Sequence, residues 1–199
     1  MAKERLKSPR VRLFVALDLP QEVREGIVAW QQAELGDEAL RPVTEQNLHV
    51  TLAFLGYLPE KSIASVAEVV HGVDAPAPRL ELAKEPAGRP KGRPRILALE
   101  DRREEVAAFQ AEVEKRLVEG RLYEPEKRRF WSHLTVARVR PERRGSKRPA
   151  RIERPPGPLP KRLCEPFGAV RITLYRSSLR PQGAEYAPLA QLELPAHKT

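Results

Sequence analysis

Asn47-Leu48-His49-Val50-Thr51-Leu52-Ala53-Phe54-Leu55-Gly56 reads as a strong strand closed by a glycine. Side chains alternate between the two faces of a strand, so His49 and Thr51 point one way while Val50, Leu52 and Phe54 point the other. The apolar side anchors the strand in a core. The opposite side presents an imidazole and a hydroxyl. A second stretch repeats the pattern of histidine, apolar, threonine, apolar: His133-Leu134-Thr135-Val136. The chain has only four histidines, His49, His71, His133 and His197, and two of them begin this tetrapeptide.

The order of elements also repeats. Val11 to Leu19 is a β-rich run ending at Pro20, which suits the start of a helix over Gln21 to Leu35. The His49 strand follows. Arg95 to Leu99 is again a strand, and Arg103 to Val118 a helix with Val106, Phe109, Val113 and Leu117 on one stripe, stopped by Gly120. The His133 strand, expected over Arg129 to Val139, comes next. Phe14 precedes His49 by 35 positions and Leu97 precedes His133 by 36. Two similar lobes facing each other would leave a groove to which each contributes one histidine. Between and after these units lie a helix over Glu60 to Val70, a short strand over Arg79 to Ala83, a loop over Pro86 to Pro94, and final strands over Ala169 to Arg176 and Leu189 to Leu194. The expected fold is α+β and bilobal, two pseudo-symmetric lobes each with an antiparallel sheet backed by helices. The whole chain, 1–199, forms one such domain, interrupted by a basic, proline-rich insertion at about 141–160.

The two motifs suit acid–base chemistry at a phosphodiester. Opening a cyclic phosphate with water needs a base for the water proton and an acid for the departing sugar oxygen, and histidine serves either role near neutral pH. Threonine hydroxyls can hydrogen-bond non-bridging oxygens. A single His-x-Thr on a strand is usually only a strand; two matched copies point to a paired site. Zinc is the rival reading, since histidines are common ligands, but spacing places no third ligand. No metal and no cofactor are therefore expected.

Composition agrees. Lysine and arginine total 36 against 27 acidic residues, a net charge of +9, with basic clusters at Arg89 to Arg95, Lys127 to Arg129 and Arg138 to Arg151. Such a balance favours phosphate-rich partners, although a solvated arginine-rich surface would look the same. With 199 residues and 41% hydrophobic content, the chain is long and apolar enough for a real core. No apolar run of 18 residues suggests a membrane helix. The basic start, Met1 to Arg10, precedes an apolar stretch broken at Asp18 and Pro20, which argues against a secretory leader. Cys164 stands alone, so no internal disulfide can form. A cytoplasmic monomer is the expectation.

The sequence resembles the RNA 2′,3′-cyclic phosphodiesterases, also called 2′-5′ RNA ligases, of the two-histidine phosphoesterase superfamily. Arg12-Leu13-Phe14-Val15-Ala16-Leu17-Asp18-Leu19-Pro20 resembles the family's opening strand, 47–56 its first motif, and 133–138 its second. Thr173-Leu174-Tyr175-Arg176-Ser177 and Tyr186-Ala187-Pro188-Leu189 resemble its closing segments. The resemblance implies His49 as proton donor to the 3′ oxygen and His133 as proton acceptor from water, with Thr51 and Thr135 on the phosphate. It implies RNA with 2′,3′-cyclic phosphate or 2′-phosphate ends as partner, a 2′-phosphomonoester product, and for some members the reverse joining of ends through a 2′-5′ linkage. Arg138 matches a basic position after the second motif and is a phosphate-binding candidate, although simple alternation turns it away from His133 unless a bulge re-aims it. Phe14, on the face of Ala16 and Asp18, is a candidate for stacking on a base. Ser132 replaces the proline often found before the second histidine. The competing functions are a non-catalytic RNA-end-binding protein and a hydrolase of small cyclic nucleotides.

Overall fold

The structure is a computed structural model and describes residues 9–180 and 183–196. The basic start at 1–8 and His197 lie outside the described residues. Among the described residues ten strands and three α-helices follow one another: β1 (Arg10–Asp18), α1 (Gln21–Glu34), β2 (Leu40–Pro42), β3 (His49–Pro59), α2 (Ile63–His71), β4 (Arg79–Leu80), β5 (Ala87–Arg89), β6 (Ile96–Glu100), α3 (Glu105–Glu119), β7 (His133–Val139), β8 (Phe167–Gly168), β9 (Arg171–Arg180) and β10 (Gly183–Glu193). Pro20 caps α1, with its carbonyl accepting the Arg24 amide at 3.1 Å, and Gly120 caps α3, as expected for both. Three details differ from the sequence reading. The 86–94 loop contains β5, which pairs with β6. Residues 129–132 precede β7 and are not part of it. The last hairpin is longer at both strands than its apolar runs suggest, because most of β10 is polar or half-exposed.

Eight strands form one antiparallel sheet in the order β10-β9-β1-β3-β7-β6-β5, with β2 also paired to β7. It consists of two halves. In the first, β1 and β3 are antiparallel neighbours connected through α1; in the second, β6 and β7 are antiparallel neighbours connected through α3. The halves meet at the pair Val50↔Leu134. The two lobes of the expectation are thus the wings of one sheet joined at a narrow seam.

The ladders reveal the repeat at residue level. Asp18 pairs with His49 and Ala16 with Thr51; Glu100 pairs with His133 and Ala98 with Thr135. Immediately beyond, both ladders slip by one residue. Val15 pairs with Ala53, leaving Leu52 unmatched, and Leu97 pairs with Ala137, leaving Val136 unmatched. These are equivalent β-bulges. Each inverts the alternation: Leu52 and Ala53, like Val136 and Ala137, are consecutive buried residues. Phe54 and Arg138 consequently turn to the histidine face, and both are exposed. The simple alternation that set them on the core side is corrected at both positions. Ladder register also makes Ile96, opposite Arg138, the counterpart of Phe14, opposite Phe54; Leu97 points into the core. Gly56 does not end β3. It adopts φ +68° at a second irregularity, where Leu13 pairs with Gly56 and Phe14 with Phe54, and the strand continues to Pro59.

The helices cover the face opposite the histidines; α1 and α3 are lent across the seam, whereas α2 packs on β9 and β10 of the first wing. α1 follows β1 but reaches β7 and the residue after β2: the Gln31 side-chain amide donates to the Val136 carbonyl at 2.7 Å and the Val43 carbonyl at 3.0 Å. α3 follows β6 but packs on β3 and α2. Buried leucines from both wings, including Leu13, Leu17, Leu99 and Leu134, fill one continuous core with Ile27, Val113 and Leu117. The 141–160 insertion is held against the end of α1. Asp37 accepts the amides of Glu153 and Arg154, and Glu34 accepts that of Gly157. Among the described residues no helix is long and apolar enough to cross a membrane.

Gln31 is buried, and its amide serves the carbonyl of the bulged residue itself. Replacing it by leucine takes the side-chain donor from the Val43 carbonyl and leaves the Val136 carbonyl with the bond it accepts from the Val43 amide at 2.9 Å. Gln31→Leu should lower unfolding free energy by about 1–3 kcal/mol in urea titration. An unchanged midpoint would show that the amide contributes nothing to holding the bulge.

Candidate active site

Antiparallel register about Val50↔Leu134 places His49 across from Thr135 and Thr51 across from His133. All four side chains are partly exposed on one face, while Val50 and Leu134 are fully buried on the other. Each histidine therefore works beside the threonine of the opposite half. The two imidazoles are close enough that His133 acts on the protonation of His49. The four motif residues come together as the sequence pattern requires, and Arg138 joins them through its bulge, its charge also acting on His49.

Each ring is oriented by the main chain two residues earlier. His133 Nδ1 lies 2.7 Å from the Trp131 carbonyl oxygen. Donation there leaves Nε2 of the neutral ring as a lone-pair acceptor directed elsewhere. The Asn47 carbonyl receives the equivalent bond from His49. Beyond that the two environments diverge.

His133 stacks on Trp131, with ring centroids 3.9 Å apart and 11° between planes, and the Arg89 guanidinium lies 4.8 Å from the centre of the Trp131 ring. A cleft of about 740 Å³ opens here. Thr51, Phe54, Ile96 and His133 form its inner wall, and Arg89, Arg95, Arg128 and Arg129 supply positive charge beside Glu114 and Glu126. Two of the three basic clusters thus reach the cleft. The third divides: Arg138 and Arg140 stay near the site, whereas Arg143, Arg144, Lys147 and Arg148 are exposed on the insertion and line neither the cleft nor the pocket beside Arg138. Ser132, in place of a proline, is buried and locked in both directions: its hydroxyl donates to Asp101 at 2.9 Å and its carbonyl accepts the Asp101 amide at 3.0 Å.

His49 is enclosed by aromatic rings. Phe14, Tyr186 and Tyr175 stand 5.0, 5.4 and 6.0 Å from it, centroid to centroid. Phe14 itself is 3% exposed, stacked on Tyr175 and edge-on to Tyr186. It forms a wall of the histidine pocket with no open face for a base, which corrects its expected role. Phe54, 39% exposed, lines the cleft together with Tyr123, Phe130 and Trp131, with the Arg12 guanidinium 4.5 Å above its ring.

Asp18, beside His49 in the ladder, is the group that sequence reading passed over. Its buried carboxylate accepts hydrogen bonds from Arg171 Nε at 2.7 Å, Thr173 Oγ1 at 2.9 Å and the Tyr175 hydroxyl at 2.8 Å. Asp18 sits on the face of Phe14 and Ala16, so a carboxylate two residues before a proline was visible in the sequence. Its three partners come from β9 and were not. Burial, then the Asp18 charge, pushes the Tyr175 phenol upward, so it stays a neutral donor. Among the described residues no group of three or more His, Cys, Asp or Glu is placed to hold a metal ion.

Burial dominates the protonation of both histidines. It lowers His49 to about 4, against upward pulls from Asp18 and the Asn47 carbonyl and with further downward pushes from Arg138 and His133. It also lowers His133, where Arg128 and Arg89 push the same way and the Trp131 carbonyl and Glu100 oppose.

Comparison with known proteins gives a consistent set of relatives. The LigT like phosphoesterase family matches residues 17–98. The RNA 2′,3′-cyclic phosphodiesterase of Archaeoglobus fulgidus is 29% identical over 92% of this chain and 100% of its own length. The Escherichia coli (strain K12) protein of the same name is 49% identical over 59 residues, 28% of this chain and 34% of that protein. The apo structure of E. coli LigT superposes with a TM-score of 0.73 at 26% identity, covering 94% of this chain and 99% of that one. LigT has also been solved with phosphate and with 3′-AMP.

The free protein should hold His49 neutral through the physiological range. Ring-proton NMR should find its midpoint near 4, rising when inorganic phosphate binds, because an adjacent anion favours the imidazolium. Below about 6.5 the unfolded chain takes a proton at this position that the folded protein refuses until about 4, so stability falls as pH drops through that window. A His49 midpoint near 6.5 would contradict the enclosed geometry.

Proposed function

We propose that this chain is a LigT-like phosphoesterase that hydrolyses RNA 2′,3′-cyclic phosphate ends to 2′-phosphomonoesters by two-histidine acid–base catalysis. The whole chain acts as one bilobal unit, as a cytoplasmic monomer. The observation that carries this reading is the seam at Val50↔Leu134, which sets two His-x-Thr pairs about a single point on one open face.

In this mechanism the cyclic phosphate sits over the seam. The Thr51 and Thr135 hydroxyls donate to its non-bridging oxygens, and Arg138 neutralises its charge. His133, whose Nδ1 is engaged with Trp131, uses the Nε2 lone pair to take a proton from water in the open cleft. The water oxygen bonds to phosphorus, the bond from phosphorus to O3′ breaks, and His49 gives its proton to O3′. That leaves the phosphate on O2′. His49 must be loaded first. Its enclosure keeps it neutral in the free protein, and the incoming phosphate anion, reinforced by Asp18, reverses the balance. The acid is thereby charged only when substrate is present. In-line geometry places attacking and leaving oxygens on opposite sides of phosphorus, matching one histidine from each wing. Phe54 offers the base a surface in the cleft, in place of Phe14.

The relatives' names support the substrate class, and LigT structures with phosphate and 3′-AMP are in keeping with a site that accepts a nucleotide phosphate. Turnover of an oligoribonucleotide ending in a 2′,3′-cyclic phosphate should fall about 10²–10⁴-fold in both His49→Ala and His133→Ala. Phosphorus NMR should identify a 2′-phosphate product, and activity should persist in EDTA. Near-parental rates in either variant would overturn the mechanism; a 3′-phosphate product would exchange the two histidines' roles.

A further inference from the structure

β2 has three residues and pairs with β7 beyond its bulge, matching Arg41 directly to Arg138. Like charges placed opposite each other across two strands destabilise the pair. Arg140 follows the last residue of β7, two residues after Arg138, and its amide donates to the Ala39 carbonyl at 2.7 Å, which carries the strand's alternation on to the side of Arg138. A pocket of about 300 Å³ is lined by these three arginines with Val139 and Pro141. It has no acidic residue in its lining. Among the described residues neither Arg138 nor Arg140 has an ion-pair partner. In the insertion that follows, Arg148 faces Glu142 and Arg151 faces Glu153.

Resting on the hydrolytic reading above, we infer that the Arg41–Arg138–Arg140 pocket is a second phosphate subsite, which holds the 5′-phosphate of the nucleotide that bears the cyclic phosphate. Arg138 belongs to both sites, since it lines this pocket and its charge reaches His49. His49 faces the 3′ oxygen of the terminal ribose. The 5′-phosphate of that ribose is the next anion along the chain, so an anion site reached through Arg138 is matched to it. Two guanidiniums supplying forked donors to one phosphate also offset the repulsion built into the Arg41↔Arg138 pair. The enzyme then distinguishes an RNA end, which always carries this phosphate, from a nucleoside 2′,3′-cyclic phosphate, which does not.

The test compares adenosine 2′,3′-cyclic phosphate with its 5′-phosphorylated form, by kcat/KM, in the parent protein, Arg140→Gln and Arg140→Lys. Calorimetric binding of the matching 2′-phosphate products, with and without the 5′-phosphate, gives a readout that needs no turnover. The parent should favour the 5′-phosphorylated compound by about tenfold, expressed in KM and in binding. Arg140→Gln should bring that ratio toward one, and Arg140→Lys should keep part of it. Equal affinity of the parent for both products, or a ratio unchanged in Arg140→Gln, would overturn the subsite. If neither cyclic phosphate is hydrolysed, the hydrolytic reading fails, and the calorimetric ratio still decides whether the pocket selects a 5′-phosphate.

Discussion

Everything at the site depends on one antiparallel contact, Val50 against Leu134. Both side chains are fully buried, so the seam is anchored in the core on one face and free to carry polar groups on the other. Because strands alternate, the residues on either side of this pair must face the groove together. Because they run antiparallel, each histidine must meet the other half's threonine. A slip of one residue would send both imidazoles into the core. The burial of two aliphatic side chains thus sets the register of the chemistry. The crossed helices reinforce it, since α1 braces β7 and α3 braces β3.

The paired bulges extend that logic. A regular strand offers one face only every second residue, which would allow His, Thr and nothing more until the residue after next. An extra residue in each strand turns Phe54 and Arg138 to the histidine side. The two halves use the same backbone device to deliver different chemistry, an aromatic surface in one and a guanidinium in the other. The bulge in β7 is braced from behind, where Gln31 reaches the Val136 carbonyl.

The symmetry stops at the histidines' surroundings. The β9–β10 hairpin extends only the first wing, bringing Tyr175 and Tyr186 around His49 and three donors onto Asp18. The second wing has no such cover, and His133 stays at the edge of the cleft on Trp131. Two identical side chains with nearly identical reference properties are differentiated by a hairpin that belongs to one half. The enclosed histidine suits delivery of a proton to a departing oxygen held within the site, and the open one suits water.

The sequence by itself determined the repeat, the strand identity of both motifs, the helices that connect them, and the four residues that share a face. These rest on local rules: period-two alternation, helical stripes, and proline and glycine at element ends. It also carried Asp18 on the correct face. Tertiary structure alone decided where alternation breaks, because a bulge arises from matching two strands of different effective length, and no single strand contains that information. Arg138 and Phe54 were misdirected for that reason. Phe14 became a wall when rings from β9 and β10 closed over it, and Arg41 met Arg138 through a three-residue strand too short to signal itself. Such contacts join residues far apart in the chain, and their partners are chosen by the packing of the whole sheet.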